Sequence, residues 1–210
     1  MLHNYELAKK EIFCFVQKYS FAHIKSFFII FLNKLIKMNM LSRLRLIKTF
    51  VCDMDGVLTD GSLLIDENGN WLRRMNTRDG YALQLAIKAG YKVVIISGSQ
   101  SDPVTQRLHR LGIEEVFMKV MDKGKFLEEY ISKNNCETSE VLAMGDDIPD
   151  YSFMQMAGFA CCPADAVLEI KKISSYISPL KGGEGCVRDV IEKVLKVNSH
   201  WPLDSFVAAT

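Results

Sequence analysis

Two aspartates that stand two residues apart, Asp53 and Asp55, have the spacing of a carboxylate pair that serves one catalytic site. They follow a hydrophobic run, residues 46–52, which predicts a buried parallel strand that ends in a charged loop. At the carboxyl end of such a strand successive side chains diverge, so both carboxylates can reach the same site. One could attack a phosphorus atom to form an aspartyl phosphate, while the other protonates the departing oxygen and later takes a proton from water. In isolation the same spacing is also typical of a solvated loop.

The residues that continue this pair resemble the first motif of the haloacid dehalogenase (HAD) superfamily. They read Asp53-Met54-Asp55-Gly56-Val57-Leu58-Thr59-Asp60. The resemblance implies that Asp53 is the nucleophile and Asp55 the general acid and base. It also implies an α/β fold, Rossmann-like and doubly wound, with a mainly parallel sheet. Apolar strands alternate with amphipathic helices over residues 46–197, which fits one domain of this kind.

The second and third motifs of that superfamily have counterparts further along the chain. A second apolar strand ends at Ser97 and Gly98, where a hydroxyl and free amides can bind phosphoryl oxygens. Lys123 stands at the predicted start of a helix that runs to about residue 134. A lone lysine is usually a surface residue, but a site with several carboxylates and a phosphate dianion needs fixed positive charge. We therefore expect Ser97 and Lys123 to hold the phosphoryl group.

A loop with three acidic residues, Asp146, Asp147 and Asp150, follows a further apolar strand and resembles the fourth motif. Carboxylate, carbonyl and water oxygens are the ligands that Mg²⁺ prefers. The resemblance implies a magnesium ion held by Asp53, by the backbone carbonyl of Asp55 and by Asp146. Asp147 and Asp150 would support the site by orienting metal-bound water, or Asp150 would instead cap the following helix.

Further phrases within residues 46–200 resemble the 3-deoxy-D-manno-octulosonate 8-phosphate (KDO 8-phosphate) phosphatases of the same superfamily. These phrases are Asn76-Thr77-Arg78-Asp79-Gly80-Tyr81, Arg107 with Leu111-Gly112-Ile113, and Gly182-Gly183-Glu184-Gly185-Cys186-Val187-Arg188-Asp189-Val190. The resemblance places Asn76 and Arg78 at the active site, where a guanidinium could pair with the phosphate or the sugar carboxylate. With Gly98, they are the predicted substrate-binding residues.

Two departures from that family bear on the substrate. The family often carries an arginine after the second-motif glycine, where this chain has Ser99-Gln100, and often an arginine where Glu184 stands. The leading interpretation is a magnesium-dependent phosphomonoesterase that acts on a small phosphorylated sugar acid, KDO 8-phosphate. A nine-carbon substrate, a 2-keto-3-deoxy-nonulosonate 9-phosphate, is the first alternative. An alternative of another class is a non-catalytic binding or assembly module, against which the complete set of catalytic residues argues.

The spacing of the motifs leaves no room for a cap domain. Between Asp60 and Ser97 the sequence predicts a hairpin with its turn at 68–69, a helix at about 79–89 and the second-motif strand. Between Ser97 and Lys123 it predicts one helix and one strand. A site without a cap either accepts a macromolecular phosphate or takes its lid from a neighbouring subunit.

The predicted hairpin, residues 62–75, is the candidate lid. Its apolar side chains are too many for a solvated two-stranded ribbon. They are Leu63, Leu64, Ile65, Trp71 and Leu72. Burial against other subunits would explain them, and the family resemblance implies a homotetramer in which each hairpin completes a neighbour's site. The alternative is that the hairpin packs on the core of its own chain.

The charge of the chain is distributed unevenly. Residues 1–45 hold eight Lys or Arg and two Glu, a net charge of +6, whereas the remainder has 18 basic against 23 acidic residues, a net charge of −5. An acidic catalytic portion argues against nucleic acid as substrate or partner. We therefore predict a basic, apolar extension at 1–45, a HAD-like phosphatase domain at 46–197 and a tail at 198–210.

The extension does not have the pattern of a membrane span. Its longest apolar run, residues 27–32, is much shorter than the roughly 20 residues a span requires, and no cleavage site of a signal peptide follows it. Residues 1–37 could lie on a membrane surface. We favour a natural start at Met38 or Met40, which would make the extension an artefact.

The six cysteines of the chain show no metal-ligand spacing. We therefore expect them to be buried free thiols, as is typical of a protein in the reducing cytoplasm.

Overall fold

The computed structural model describes residues 40–202, and from Arg43 onward these belong to one compact unit. Its strands are β1 (Thr49–Asp53), β2 (Leu64–Ile65), β3 (Trp71–Leu72), β4 (Lys92–Ile96), β5 (Glu115–Phe117), β6 (Val141–Met144), β7 (Phe159–Cys162) and β8 (Tyr176–Ile177). Its helices are α1 (Thr77–Lys88), α2 (Asp102–Arg110), α3 (Lys123–Asn134), α4 (Tyr151–Met156), α5 (Leu168–Ile173) and α6 (Cys186–Val197). The predicted membrane contact by residues 1–37 lies outside the described residues.

Six of the strands form one parallel sheet in the order β5-β4-β1-β6-β7-β8. The order steps outward from β1 in both directions, which is the arrangement of a doubly wound sheet. The remaining strands, β2 and β3, form an antiparallel hairpin. The predicted fold, a doubly wound parallel sheet with a hairpin insertion, is therefore confirmed. Within residues 40–202 the segments between the four motifs hold only the hairpin, single helices and single strands.

The core lies between the sheet and its helices. Val51, Val94 and Ala143 of the central strands pack with residues of α3 and α4 such as Leu127 and Phe153. Because side chains alternate along a strand, the neighbours of Val51 face the other side of the sheet. Because these strands are buried, they fix the positions of the loops that follow them at the carboxyl edge of the sheet.

The first strand is shorter than the predicted run of residues 46–52. Residues 43–46 are helical, and the strand begins at Thr49. Leu44 and Ile47 are buried while Leu46 is exposed, so the apolar residues before β1 belong to a helix end and a connection. A short apolar run cannot by itself distinguish a helix end from a strand.

The hairpin turn contains Asn68 and Gly69 as predicted, but it is longer than two residues. The Asp66 amide donates to the Asn70 carbonyl at 3.1 Å, and Gly69 has a φ of 78°. The side chain of Asp66 accepts from the amides of Asn68 and Asn70 at 2.9 and 2.8 Å. This is the pattern of a three-residue loop closed by a residue with positive φ.

The described cysteines are free thiols, and the two described histidines each lie within hydrogen-bond distance of another residue. Cys52, Cys161, Cys162 and Cys186 are buried free thiols, and Cys136 is half-buried. The His200 ring lies 3.0 Å from the Tyr91 hydroxyl, and His109 lies 2.9 Å from the Ile113 carbonyl. Among the described residues, no helix is both long enough and apolar enough to cross a bilayer.

Candidate active site

The four predicted motifs meet at the carboxyl edge of the sheet because their strands are adjacent. Asp53 pairs with Ile96 across β1 and β4, so Ser97 follows directly beside it. On the other side of β1, Cys52 pairs with Met144, which brings the loop after β6 to the same edge. A cavity of about 490 Å³ opens there. The predicted site residues that line it are Asp53, Asp55, Ser97, Gly98, Lys123, Asp146, Asp147 and Asp150.

Lys123 lies between two buried carboxylates. Its Nζ donates to Asp53 Oδ1 and to Asp150 Oδ1, both at 2.6 Å, and all three side chains are buried. Helix α3 begins at this lysine because Asp122 caps it, accepting from the Lys125 amide at 2.9 Å. The cap thus fixes the point at which the ammonium group enters the site.

The pKa values in this cluster reflect burial among like charges. Burial, and then the charge of Asp150, raises the pKa of Asp53 to about 7, although Lys123 acts in the opposite direction. Burial would lower the pKa of Lys123, but the charges of Asp53 and Asp150 outweigh it and raise that pKa above its ordinary value. The lysine therefore remains protonated, and one ammonium group faces more than one carboxylate.

Asp146 completes a group of acidic side chains suited to a hard cation. Asp53, Asp146 and Asp150 each offer a carboxylate oxygen, and these oxygens lie within 4.8 Å of one another. Asp146 Oδ1 is buried and has no hydrogen-bond partner among the described residues. Burial, followed by the charges of Asp150, Asp53 and Asp147, raises the pKa of Asp146 to about 8. An unpartnered buried oxygen among carboxylates fits Mg²⁺, which takes oxygen ligands.

The backbone at Gly56 passes directly against Asp146. A Cβ atom on Gly56 would lie only 2.1 Å from Asp146 Oδ2, and Gly56 has a φ of 88°. Only glycine fits such a position, for both reasons. The peptide that follows Asp55 is thus held next to the acidic cluster, which is compatible with the predicted use of the Asp55 carbonyl as a metal ligand.

The two supporting aspartates of the fourth motif have different roles. Asp150 Oδ2 accepts from the amides of Asp146 and Asp147 at 2.9 and 3.3 Å, while its other oxygen binds Lys123. Asp147 caps the short 3₁₀ turn Ile148–Asp150, accepting from the Ile148 amide at 2.8 Å. Asp150 makes no side-chain capping bond to α4. It folds back on its own loop and fixes the Asp146 backbone instead.

Asp55 is surrounded by hydrogen-bond donors. Arg73 donates to Oδ1 through Nε at 2.7 Å and to Oδ2 through Nη2 at 3.1 Å. The Ser99 hydroxyl donates to Oδ2 at 2.8 Å, and the Thr59 hydroxyl donates to Oδ1 at 3.3 Å. Ser99 also links this group to Ser97, since the two Oγ atoms lie 3.0 Å apart. Arg73 is not among the residues predicted from the sequence to form the site, although a basic residue within the predicted hairpin was a signal.

The predicted substrate-binding residues Asn76 and Arg78 do not line the 490 Å³ cavity. Asn76 Oδ1 caps helix α1, accepting from the Arg78 amide at 2.9 Å, and its Nδ2 donates to the Gly183 carbonyl at 3.3 Å. The Arg78 side chain lines a second cavity of about 380 Å³, with Glu184 and residues of α6. Their substrate-binding role stays a prediction. Gly98 lines the catalytic cavity.

The two adjacent glycines at 182–183, in the segment 182–190, pack against the turn of the first motif, residues 53–60. The Gly183 amide donates to the Val57 carbonyl at 3.0 Å. A Cβ atom on Gly182 would lie 2.0 Å from the Gly56 carbonyl oxygen, so only glycine allows this approach. At the end of the segment, Asp79 of α1 accepts from the Arg188 amide at 2.7 Å. The segment therefore holds the Asp53–Asp60 loop in place.

Comparisons with known proteins agree on one family. A family model described as haloacid dehalogenase-like hydrolase matches residues 111–189. The KDO 8-phosphate phosphatase KdsC of Yersinia pestis is 32% identical over 149 residues, which are 71% of this chain and 80% of that protein. The Escherichia coli K12 protein of the same name is 31% identical over 149 residues, covering 71% of this chain and 79% of that protein.

Solved structures give the same result. The Yersinia pestis KDO 8-phosphate phosphatase superposes with a TM-score of 0.74 at 30% identity, covering 76% of this chain and 86% of that one. The Moraxella catarrhalis KDO 8-phosphate phosphatase, in complex with magnesium, phosphate and KDO, superposes with a TM-score of 0.74 at 31% identity, covering 76% of this chain and 91% of that one.

Proposed function

The chain belongs to the KDO 8-phosphate phosphatase family of the haloacid dehalogenase-like hydrolases, and we propose that it hydrolyses KDO 8-phosphate to KDO and inorganic phosphate with Mg²⁺. The observation that carries this proposal is the buried group in which Lys123 bridges Asp53 and Asp150 beside the unpartnered oxygen of Asp146. This group combines a nucleophile, a fixed cation and a place for a metal ion, which phosphoryl transfer through an aspartyl phosphate requires.

In the proposed mechanism an Asp53 oxygen attacks phosphorus, and the bond between phosphorus and the sugar oxygen breaks. Asp55 gives its proton to that departing oxygen. Asp55 then takes a proton from the water that attacks the aspartyl phosphate, which releases phosphate and restores Asp53. Ser97 and Lys123 would bind the phosphoryl oxygens. Asp53, Asp146 and the Asp55 carbonyl would hold the Mg²⁺ ion, which would supply positive charge to the phosphoryl group.

The nine-carbon sugar acid remains the alternative substrate, because this chain departs from the family at Ser99, which lines the 490 Å³ cavity, and at Glu184, which lines the second cavity. Glu184 lines the 380 Å³ cavity with Arg78, and its Oε1 lies 4.0 Å from Arg74 Nη2. Both candidate substrates carry a carboxylate, which Glu184 would repel in each, so they are distinguished by chain length and by their rates of hydrolysis. The non-catalytic alternative has no support in the arrangement of the site.

The proposed assembly is a homotetramer in which the hairpin of residues 62–75 covers a neighbour's site. Leu64 and Ile65 of the hairpin are 67% and 60% exposed, and Trp71 is also exposed. At the mouth of the catalytic cavity Met121 is 88% exposed. Apolar surfaces on both the hairpin and the rim would bury each other in such a contact.

We place the enzyme in the cytoplasm, in the synthesis of the lipopolysaccharide sugar KDO.

The test is release of phosphate from KDO 8-phosphate and from a nonulosonate 9-phosphate, measured side by side with Mg²⁺ and with chelator. Asp53→Asn serves as the blank, because it keeps the fold but lacks the nucleophile. A magnesium-dependent preference for the eight-carbon compound is the expected result. A preference for the nine-carbon compound would reassign the substrate. Equal trace activity in wild type and Asp53→Asn on both compounds would favour the binding or assembly module.

A further inference from the structure

Arg73 is a buried charge on an otherwise exposed hairpin. Its side chain is only 2% exposed, whereas that of the next residue, Arg74, is 68% exposed. Arg74 reaches Asp60 on the surface, at 3.1 Å between Nε and Oδ2. Burying a guanidinium costs free energy unless it is paired and hydrogen-bonded. The position of Arg73 is therefore explained by the group it pairs with, which is the Asp55 carboxylate.

The contact between Arg73 and Asp55 has a defined geometry. Nε and Nη2 bind different oxygens of the carboxylate, at 2.7 and 3.1 Å. Two parallel bonds from a planar guanidinium fix both the position and the plane of a carboxylate, which a single bond cannot do. A lysine at this position would supply the charge without fixing the plane.

Ser99 connects the Asp55 carboxylate by hydrogen bonds to the residues that follow β4. Its hydroxyl donates to Asp55 Oδ2 at 2.8 Å, and Arg73 Nη2 lies 3.2 Å from the Ser99 oxygen. The Ser99 amide in turn donates to Ser97 Oγ at 3.1 Å. The hairpin and the phosphate-binding strand end thus contact one carboxylate. Because the Asp55 side chain is 33% exposed, it would have rotational freedom without these contacts.

We propose that Arg73 is a positioning residue for proton transfer: it fixes the orientation of the Asp55 carboxylate, with Ser99 as the second support. This rests on the proposed function, in which Asp55 protonates the sugar oxygen that leaves phosphorus. General acid catalysis requires the donor within hydrogen-bond distance of that oxygen. The hairpin then contributes to catalysis in its own protomer through the orientation of Asp55, and in a neighbouring protomer by covering the site.

The first experiment compares two leaving groups in Arg73→Met, Arg73→Lys and wild type. A sugar alkoxide needs a proton to leave, whereas the p-nitrophenolate of p-nitrophenyl phosphate leaves with little help. The ratio kcat/KM reports the steps up to formation of the aspartyl phosphate, so the later role of Asp55 as a base does not enter. We expect Arg73→Met to lower kcat/KM about 100-fold on KDO 8-phosphate and less than about 10-fold on p-nitrophenyl phosphate. Arg73→Lys should recover only part of the loss.

A double-mutant cycle distinguishes action through Asp55 from direct contact with substrate. If Arg73 acts through Asp55, then Arg73→Met adds little to the loss already caused by Asp55→Asn. Losses that multiply in the double variant, with a raised KM for the sugar phosphate, would assign Arg73 to substrate binding and overturn the proposal. Equal losses on the two leaving groups would also overturn it.

Arg74→Met is the matched control, since it removes the same charge from the adjacent residue of the same hairpin. Its kcat/KM should stay within about 3-fold of wild type on both substrates, as expected for an exposed ion pair. An inactive wild type would refute the proposed function and leave this inference without a basis. An active wild type with an equally active Arg73→Met variant would refute the inference alone. Circular dichroism and thermal melting confirm that each variant is folded.

Discussion

The two aspartates proposed to be catalytic are two residues apart, yet they lie in opposite surroundings. Asp53 is buried among the carboxylates of Asp146 and Asp150, with Lys123 as the cation that contacts it. Asp55 is partly exposed and accepts hydrogen bonds from Arg73, Ser99 and Thr59. Residues at the carboxyl edge of the sheet surround Asp53, whereas the hairpin contributes Arg73 to the donors around Asp55. Environment rather than residue type thus separates the roles of the two carboxylates.

The difference in charge around the two aspartates has a chemical consequence. Around Asp53 the carboxylates outnumber the ammonium group, so protons or a metal ion must balance the charge. Around Asp55 the neighbours are hydrogen-bond donors instead, namely the guanidinium of Arg73 and the hydroxyls of Ser99 and Thr59. A divalent cation is therefore needed on the Asp53 side of the site, and substitutions on the two sides should differ in their dependence on metal, pH and leaving group.

Removal of the nucleophile should have the largest effect. Asp53→Asn is expected to lower kcat on the order of 10⁴-fold or more on every phosphomonoester, because the aspartyl phosphate cannot form. Asp55→Asn should lower kcat/KM, which excludes the later step with Asp55 as base, on the order of 10²- to 10⁴-fold on the sugar phosphate and much less on p-nitrophenyl phosphate. Steady-state kinetics with both substrates measures the difference. A leaving-group dependence in the Asp53 variant, or its absence in the Asp55 variant, would remove the distinction between the two.

Lys123→Met should damage both activity and stability. The substitution leaves Asp53 and Asp150 buried without their common cation, and breaking a buried ion pair in this way typically costs about 3–5 kcal/mol. Activity on any leaving group should fall by at least about 100-fold, because Lys123 is also proposed to hold the phosphoryl group. Chemical denaturation, with Lys125→Met as the exposed control on the same helix, measures the stability. A loss below about 1 kcal/mol would show that the cluster does not depend on this cation.

Metal-free protein should lose stability as the pH rises from about 4 to about 8. Burial, and then the nearby carboxylates, raises the pKa of Asp53 to about 7 and that of Asp146 to about 8, from an ordinary value of 3.8. Because the folded state binds these protons more tightly than the unfolded state, stability declines as pH rises through that range. Thermal melting in chelator should show this slope, and Asp146→Asn should reduce it.

Magnesium should reverse that loss at pH 8. An ion present at 100 times its Kd contributes about 2.7 kcal/mol, which corresponds to a rise in Tm of roughly 5–10 °C for a chain of this size. Asp146→Asn should lose most of this rise, whereas Arg73→Met should keep it, because Arg73 lies on the Asp55 side. An equal loss in both variants would mean that the two sides are not independent.

The surroundings of Asp53 could be predicted from the sequence better than those of Asp55. Asp53, Ser97 and Asp146 each follow an apolar strand, and Lys123 begins a helix, so local patterns place them at one edge of a parallel sheet. The contact of Arg73 with Asp55 depends on how the hairpin lies over that edge. The strands of the hairpin are only two residues long, so the alternation of apolar and polar side chains along them does not determine which side of the hairpin faces the sheet.

The second cavity illustrates the same limit. The motif that contains Asn76 and Arg78 could be identified, but the direction of the Arg78 side chain depends on the cap of helix α1 and on its packing against α6. The Ser99 departure likewise had no evident compensation in the sequence. In the structure Arg73 Nη2 lies 3.2 Å from the Ser99 oxygen, so the hairpin supplies a guanidinium close to this position.

Ile65→Lys, on the hairpin surface, should have the smallest effect on the folded protomer and a clear effect on assembly. Ile65 is 60% exposed, so the substitution should change the free energy of unfolding of the protomer by less than about 0.5 kcal/mol. A charge in an apolar contact between subunits, however, should dissociate the proposed tetramer, which light scattering measures. Leu168→Lys, at a residue of α5 that is 62% exposed, is the matched control and should leave assembly unchanged. If Ile65→Lys instead lowers Tm without changing the mass, then the hairpin packs on its own chain. Activity in the dissociated variant should fall on the sugar phosphate, because a neighbour's hairpin no longer covers the site, whereas the contact of Arg73 with Asp55 within the protomer should persist.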